Sequence, residues 1–113
     1  MTPYKSATFD TTSNAWDAGS TTFSVTRHEA GFDLDQAHGI HQITLIGLDG
    51  GTFSLKVLLP GEQDWRDYNT DPNDEGAILV IDEIIVQGVR AVLANLGAGA
   101  APKLTLTSRL RGL

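Results

Sequence analysis

The sequence contains no cysteine and has no long apolar run among its 113 residues. The absence of cysteine excludes disulfide bonds, thiolate metal sites and a cysteine nucleophile, and it is typical of proteins that fold in a reducing compartment. The longest apolar run, Ala77–Ile81, is too short to cross a bilayer. Residues 1–5 lack the apolar segment of a cleaved signal peptide. We therefore expect a soluble protein that is made in the cytoplasm.

Basic residues are also scarce, and they are unevenly distributed. The net charge of −6 argues against nucleic-acid binding. Residues 1–83 hold all 14 acidic side chains and have a balance of −10, whereas residues 84–113 hold four basic side chains and no acidic one. Such asymmetry is common at contact surfaces. Alternatively, the basic segment lies beside acidic strands of its own fold.

The first 20 residues differ in composition from the rest of the chain. They are rich in serine and threonine, carry only isolated large side chains such as Phe9 and Trp16, and show no helical spacing. We interpret residues 1–20 as an extended arm, with at most one short edge strand, and residues 21–113 as a single folded domain. The arm either crosses its own domain or reaches a neighbouring subunit.

From residue 21 onward the apolar residues alternate as in half-buried strands. In residues 52–59, for example, Phe53, Leu55 and Val57 face one way while polar side chains face the other. The sequence Asp49-Gly50-Gly51 separates this strand from the apolar segment 40–48. Two such strands joined by Asp-Gly-Gly predict a β-hairpin, because glycine enters turn positions of positive φ without steric cost.

Further short strands are expected in the second half of the chain. We predict a short strand over residues 64–68, a loop over 69–76, a buried strand over 76–82 and a closing strand over 103–107. Residues 82–96 fit either a helix that Asp82 would cap or a strand, and their many β-branched residues favour the strand. The pattern predicts an all-β single domain, a β-sandwich or jelly roll, with an extended N-terminal arm.

Residues suited to catalysis or metal binding are present but are not arranged as known motifs. His38 and His41 would lie on opposite faces of a strand, so they do not form a zinc pair. The acidic segment 71–76 resembles the start of a calcium loop, but Pro72 at its second position and Asp82 at its twelfth depart from that pattern. A turn is the better interpretation of this segment. We expect neither an enzyme nor a bound cofactor.

Three aromatic residues, Trp16, Trp65 and Tyr68, are candidates for stacking on sugar rings if they are exposed together. The alternative is that they cover the ends of the sandwich, and this alternative is favoured.

Several segments between residues 40 and 108 resemble small structural proteins of tailed bacteriophages. The segments that carry the resemblance are the Leu48-Asp49-Gly50-Gly51-Thr52 and Leu59-Pro60-Gly61 corners, and the later stretches 88–92, 96–100 and 103–107. The resemblance implies an oligomeric, non-enzymatic component of the virion, such as a capsid cement or decoration protein, a fibre or a tail part. It transfers no functional residue, because these segments contain strands and turns and no catalytic motif.

We accordingly expect a capsid cement protein, located in the virion, that associates with itself as a trimer and with the major capsid protein or other virion proteins. We expect no binding to nucleic acid or membrane. A carbohydrate-binding or host-adsorption module is the alternative. The residues expected to contact partners lie in the arm and in the basic C-terminal segment: Phe9, Trp16, Arg90, Lys103, Arg109 and Arg111.

Overall fold

The computed structural model describes residues 4–110, and for residues 36–39 and 110 it describes the backbone alone. Within this range the chain forms strands β1 (Tyr4–Asp10), β2 (Trp16–Asp17), β3 (Thr22–Thr26), β4 (Ala37–Ile46), β5 (Thr52–Leu58), β6 (Arg66–Asp74), β7 (Ile78–Ile81), β8 (Gly88–Ala94) and β9 (Lys103–Leu110). A one-turn helix, α1 (Arg27–Ala30), and a 3-10 turn (Leu34–Gln36) connect β3 to β4.

The strands form two antiparallel sheets, which confirms the predicted all-β sandwich. The first sheet has the order β1-β9-β4-β7, and the second has the order β2-β3-β8-β5-β6. If the two-residue strand β2 is set aside, eight strands remain in four nested antiparallel pairs: β1 with β9, β3 with β8, β4 with β7, and β5 with β6. The chain is therefore one long antiparallel ribbon, folded back at the β5–β6 connection and rolled so that successive pairs alternate between sheets. This is the jelly-roll arrangement.

Alternating side chains on each strand build the core between the sheets. In β5 the buried residues Phe53, Leu55 and Val57 alternate with partly exposed neighbours, as the period of two predicts. The opposite wall includes Ile43 and Leu45 of β4. The remaining core side chains are likewise apolar and come from both sheets and from the connections: Phe9, Ala15, Phe23, Val25, Leu34, Leu48, Ile81, Val86, Val89, Ala91, Leu93, Leu104 and Leu106.

The predicted β4–β5 hairpin is wrong, although the predicted turn forms. Asp49 and Gly50 both have positive φ, and the Gly51 N–H donates to the carbonyl oxygen of Leu48 at 3.0 Å. However, β4 pairs with β9 and β7, whereas β5 pairs with β8 and β6. The corner carries the chain from one sheet to the other. Local turn chemistry specifies the reversal of direction, but not which strands become neighbours.

The corner formed by residues 47–51 packs against the connection between β8 and β9. The Gly99 N–H donates to Asp49 Oδ2 at 2.9 Å, and the Ala101 N–H donates to the carbonyl oxygen of Gly47 at 2.8 Å. A side chain at Gly97 would collide with Asp49, since the Asp49 backbone and carboxylate occupy that space. Two of the glycine-containing segments that carried the family resemblance, 48–52 and 96–100, thus meet at one end of the sandwich, where they have a structural role.

Two further predictions for the second half of the chain need correction. Residues 69–74, predicted to be a loop, belong to the edge strand β6, and only Glu75-Gly76 form the turn. The segment predicted as a buried strand is β7, which lies at the edge of the first sheet with Ile78 and Val80 exposed. Residues 88–94 form a strand, as favoured over the helix.

The N-terminal segment lies across its own sandwich, which is the first of the two alternatives. β1 is an edge strand of the first sheet, and β2 is an edge strand of the second. Phe9 and Ala15 are buried in the common core. The segment therefore contributes to both sheets and to the core of the domain.

Candidate docking surface

The outer face of the first sheet carries no charged side chain in its two central rows. One row runs Ser6, Thr107, Gln42 and Val80 across the four strands, and the next runs Thr8, Thr105, Thr44 and Ile78. Hydroxyl groups of adjacent strands contact one another, with 2.7 Å between Ser6 Oγ and Thr107 Oγ1. We call the surface formed by these eight residues the neutral face.

Large apolar side chains are exposed on the neutral face and at its margins. The exposed fractions are 64% for Ile78 and 46% for Val80 on β7, 50% for Ile46 on β4, and 52% for Tyr4 on β1. Ile46 and Asp10 lie on either side of Lys103 in the row that bounds one end of the face. Exposed large apolar side chains grouped on one face are typical of contact sites.

A shallow groove lies at the other end of this face. Its volume is about 440 Å³, and its lining is formed by Tyr4, Ile40, Gln42, Thr107 and Arg109. Arg109 is the only charged group in that lining. The groove gives the face a recess that a partner side chain can enter.

The outer face of the second sheet is charged and already occupied by its own contacts. Arg90 donates from Nε to Ser24 Oγ at 2.8 Å, and its guanidinium carbon lies 4.3 Å from the centroid of the Trp65 ring. Burial lowers the pKa of Arg90, and the nearby Asp17 carboxylate opposes that shift. On the neighbouring strands Lys56 Nζ lies 3.6 Å from Asp67 Oδ1. These charges would have to be desolvated in any contact, which makes this face the poorer docking surface.

The six predicted contact residues do not form one surface. Phe9 is only 7% exposed and belongs to the core, so it is not available to a partner. Trp16 is half-buried, with its ring 4.7 Å from that of Phe23. Arg90 lies on the second sheet, as described above. The two exposed residues that border the neutral face are Lys103 and Arg109. Arg111 lies outside the described residues.

The basic C-terminal segment is therefore not a single patch. Arg90 projects from the second sheet, while Lys103 and Arg109 lie at opposite ends of β9 in the first. The consecutive strands β8 and β9 lie in different sheets, so the charge is distributed over two faces, and a count along the sequence does not show this.

The surface that the sequence interpretation missed is that of β7 and its neighbours. An unbroken apolar run such as Ala77–Ile81 is usually a strand buried on both faces, and for this reason Ile78 and Val80 were assigned to the core. The residues around that run gave an indication of the edge position, since five acidic side chains surround it: Asp71, Asp74, Glu75, Asp82 and Glu83.

Groups suited to chemistry are separated from one another or are buried. Among the side chains described in residues 4–35 and 40–109, no three histidine, aspartate or glutamate residues come together as a metal site. In the acidic segment, Asn73 Nδ2 donates to the carbonyl oxygens of Phe53 and Asp71 at 3.1 and 2.9 Å. The side chain of His38 is not among those described.

His41 is a fully buried titratable group. Its Nδ1 lies 2.8 Å from Ser108 Oγ in a hydrogen bond, and its Nε2 has no partner among the described residues. Burial lowers the pKa of His41 to about 4. Because both residues are inaccessible to solvent, the pair cannot meet a substrate.

No protein-family model matches the sequence, and no curated protein is significantly similar to it. Neither helix among the described residues is long and apolar enough to span a bilayer. The fold and its surfaces are therefore the observations on which a functional proposal has to rest.

Proposed function

We propose that this chain is a non-enzymatic structural protein of a tailed-phage virion, specifically a capsid cement protein that binds the shell as an oligomer. The single observation that carries the proposal is the neutral face, which combines four paired strands without a central charge and exposed apolar side chains. The sequence resemblance to phage structural proteins supports the assignment to a virion.

The chemistry of the neutral face suits docking to another protein. Charged residues are depleted from the centres of protein interfaces, because burying them requires costly desolvation. Here the central rows contain hydroxyl groups, one amide and apolar groups, and the charged residues Lys103 and Arg109 lie at the ends. The face therefore has a hydroxyl and amide centre, apolar side chains along the β7 edge and charged residues at its two ends.

The jelly-roll fold adds a weaker argument. Jelly rolls are common in viral capsid domains and also in lectins. Fold likeness alone assigns no function, but the fold is compatible with both the proposed role and its alternative.

The size of the neutral face favours binding by several copies at once. The whole outer face of the first sheet, with four strands about 4.8 Å apart and on average about seven residues long at about 3.3 Å each, covers about 440 Å², and the neutral face is its central part. A standard interface buries about 800 Å² on each partner. One face is therefore about half of what a stable contact needs, and an oligomer that presents several faces to a repeating shell gains the missing affinity through avidity.

A charge placed at the centre of the neutral face tests the proposal. Thr105→Lys introduces a charge there, and Ser54→Lys introduces the same charge on the outer face of the second sheet. We expect Thr105→Lys to weaken binding to purified empty shells by about tenfold or more, and Ser54→Lys to leave it unchanged. Co-sedimentation with shells, together with the temperature at which the shells disrupt, measures the effect.

Absence of binding by the unmodified protein would refute the cement role. Equal loss of binding in both variants would show that the neutral face is not the contact.

A carbohydrate-binding module is the second candidate, and the exposed Tyr68 together with Trp65 on the second sheet favours it. Against it, Trp65 already stacks on Arg90 and Trp16 packs on Phe23, so no two of the three aromatic rings form an open platform. A decrease in Trp65 fluorescence on addition of host glycans, lost in Trp65→Phe and retained in Trp16→Phe, would support this candidate over the first.

A further inference from the structure

The two edge strands of the first sheet are less protected against pairing with a further strand than those of the second sheet. The second sheet ends in β2, which has only two residues, and in β6, which carries Pro72, several charges and an irregular register. Short strands, proline and charge all protect an edge against pairing with another strand. In the first sheet β7 is entirely apolar, and β1 has charged residues only near its ends, at Lys5 and Asp10.

Each of these strands has one neighbour among the described residues: β7 pairs with β4, and β1 pairs with β9. Because alternate residues of a strand direct their N–H and C=O groups to opposite sides, each strand leaves a row of backbone donors and acceptors facing outward. The exposed side chains of Ile78 and Val80 lie beside that row.

From these edges we infer that β7 of one copy pairs antiparallel with β1 of a second copy, so that the first sheet continues head to tail from copy to copy. This inference rests on the proposed function to the extent that it supplies the contact by which the oligomer forms.

The strand order gives this pairing the required antiparallel direction. The first sheet contains four strands that alternate in direction. In an even-stranded antiparallel sheet, a copy added in the same orientation presents its first strand antiparallel to the last strand of the preceding copy. The neutral faces of the two copies then lie side by side on one surface, which enlarges the area available to the shell.

Charge distinguishes this pairing from a two-fold contact between two β7 strands. Asp74 and Glu75 precede β7, and Asp82 and Glu83 follow it. A two-fold antiparallel β7–β7 contact would place each acidic pair beside the other at both ends of the contact, and like charges directly opposite destabilise strand pairs.

Pairing of β7 with β1 avoids that repulsion. In an antiparallel arrangement, Asp82 and Glu83 approach the start of β1, where Lys5 lies and where Arg109 is the residue opposite Tyr4 on β9. At the other end of β1, Asp10 would approach the acidic residues that precede β7. Lys103 lies opposite Asp10 on β9 and offsets this negative charge. The acidic edge of one copy thus meets the more basic edge of the next.

A lysine on β7 provides the first test. Val80→Lys places a charge at the edge, and Ile85→Lys places the same charge on an exposed apolar residue outside the strand. We expect the unmodified protein to form oligomers that grow with concentration in sedimentation velocity. Val80→Lys should weaken this association by about tenfold or more, while Ile85→Lys leaves it unchanged and both variants keep the circular dichroism of a folded sheet.

Reciprocal charge reversal provides the second test and identifies the partner strand. Variant one carries Asp82→Lys and Glu83→Lys, and variant two carries Lys5→Glu and Arg109→Glu. Head-to-tail pairing predicts that each variant alone associates more weakly than the unmodified protein, since like charges then meet at the contact. An equimolar mixture should recover association, because alternating copies restore opposite charges at every contact. High salt should reduce all of these differences.

Three results would overturn the inference. They are an unmodified protein that is monomeric at every concentration, a variant one that associates more strongly alone than the unmodified protein, and variants whose mixture shows no recovery. The second result would instead indicate the two-fold β7–β7 contact, in which new lysines would meet Asp74 and Glu75. A monomer that still binds shells would refute the β7–β1 pairing but not the cement role. An oligomer that binds no shell would refute the cement role but not the pairing.

Discussion

Acidification should destabilise this protein through one residue, His41, before its carboxylates contribute. The side chain is fully buried, and its Nε2 has no partner among the described residues. Protonation would place a positive charge and a second N–H donor at this buried position, and desolvation of that charge is the cause of its lowered pKa, about 4. In the unfolded chain the same group has its ordinary pKa of 6.5.

The sign and the size of the effect follow from proton linkage. Between pH 6.5 and about 4 the unfolded state binds a proton that the folded state does not, so stability falls as pH falls. Each unit by which the pH falls in this window lowers the free energy of unfolding by up to about 1.4 kcal/mol. From neutral pH down to 4.5, the ordinary pKa of glutamate, the free energy of unfolding should decrease by about 2.5 kcal/mol.

Carboxylates act mainly below this window. Hydrogen bonds from Thr12 lower the pKa of Asp10, and hydrogen bonds from Arg66 lower the pKa of Glu62. The stability that these two groups contribute is therefore present above their ordinary pKa values of 3.8 and 4.5 and is lost only at lower pH. The change in the free energy of unfolding between pH 6.5 and 4.5 consequently reports on His41.

Urea denaturation at a series of pH values measures the effect. The double variant His41→Leu/Ser108→Ala removes both polar partners together, so that neither is left buried and unpaired. We expect it to lose most of the pH dependence in this window, whereas His28→Gln, which replaces an exposed histidine of α1, retains it. A free energy of unfolding that stays constant in the unmodified protein from pH 6.5 to 4.5, or a decrease that persists in the double variant, would refute the reasoning.

The structure supports three further predictions. Gly97→Ala should lower the free energy of unfolding by about 2–4 kcal/mol, because its Cβ collides with the neighbouring corner. Thermal denaturation measures this against the control variant Gly19→Ala, where there is room for a Cβ, and equal stabilities of the two variants would contradict it. Phe9→Ala should lower the free energy of unfolding, measured by urea denaturation, by about 3–5 kcal/mol, and it should leave self-association unchanged under conditions where the variant is folded. An effect on association without a loss of stability would place the ring at a contact. A double-mutant cycle with Trp65→Leu and Arg90→Leu should give a coupling of about 1 kcal/mol, and a value near zero would show that their stacking has no energetic effect.

The sequence predicted the fold class because the alternation of apolar residues is a local property. Phe53, Leu55 and Val57 read as one face of a strand and form one face in the structure. The β-branched residues of 88–94 likewise favoured the observed strand over a helix.

Strand partners were not predictable in the same way. The Asp49-Gly50 turn has the positive φ values expected of a tight hairpin, yet its strands enter different sheets. The choice depends on β9, which takes the place beside β4, and on β8, which takes the place beside β5. Those pairings join residues far apart in the sequence, and no local pattern encodes them.

The candidate docking surface was less predictable than the fold. Arg109 and Lys103 were identified by charge and do border the neutral face. Ile78 and Val80 were assigned to the core, because an apolar run has the same appearance whether a second sheet covers it or solvent does. Exposure is a property of the assembled sheets and not of the segment.

The pairing of the first strand with the last has a consequence for how the chain is made. Ser6 and Thr107, 101 residues apart, contact each other across β1 and β9, so a nascent chain on the ribosome holds β1 without its partner until β9 has been synthesised. During that interval the β9 strand of a neighbour whose own β1 has not yet docked offers the same register, whereas in a finished sheet β9 lies between β1 and β4. Crowded synthesis should therefore yield exchanged dimers in which two chains trade their N-terminal strands, and slower expression should reduce their share.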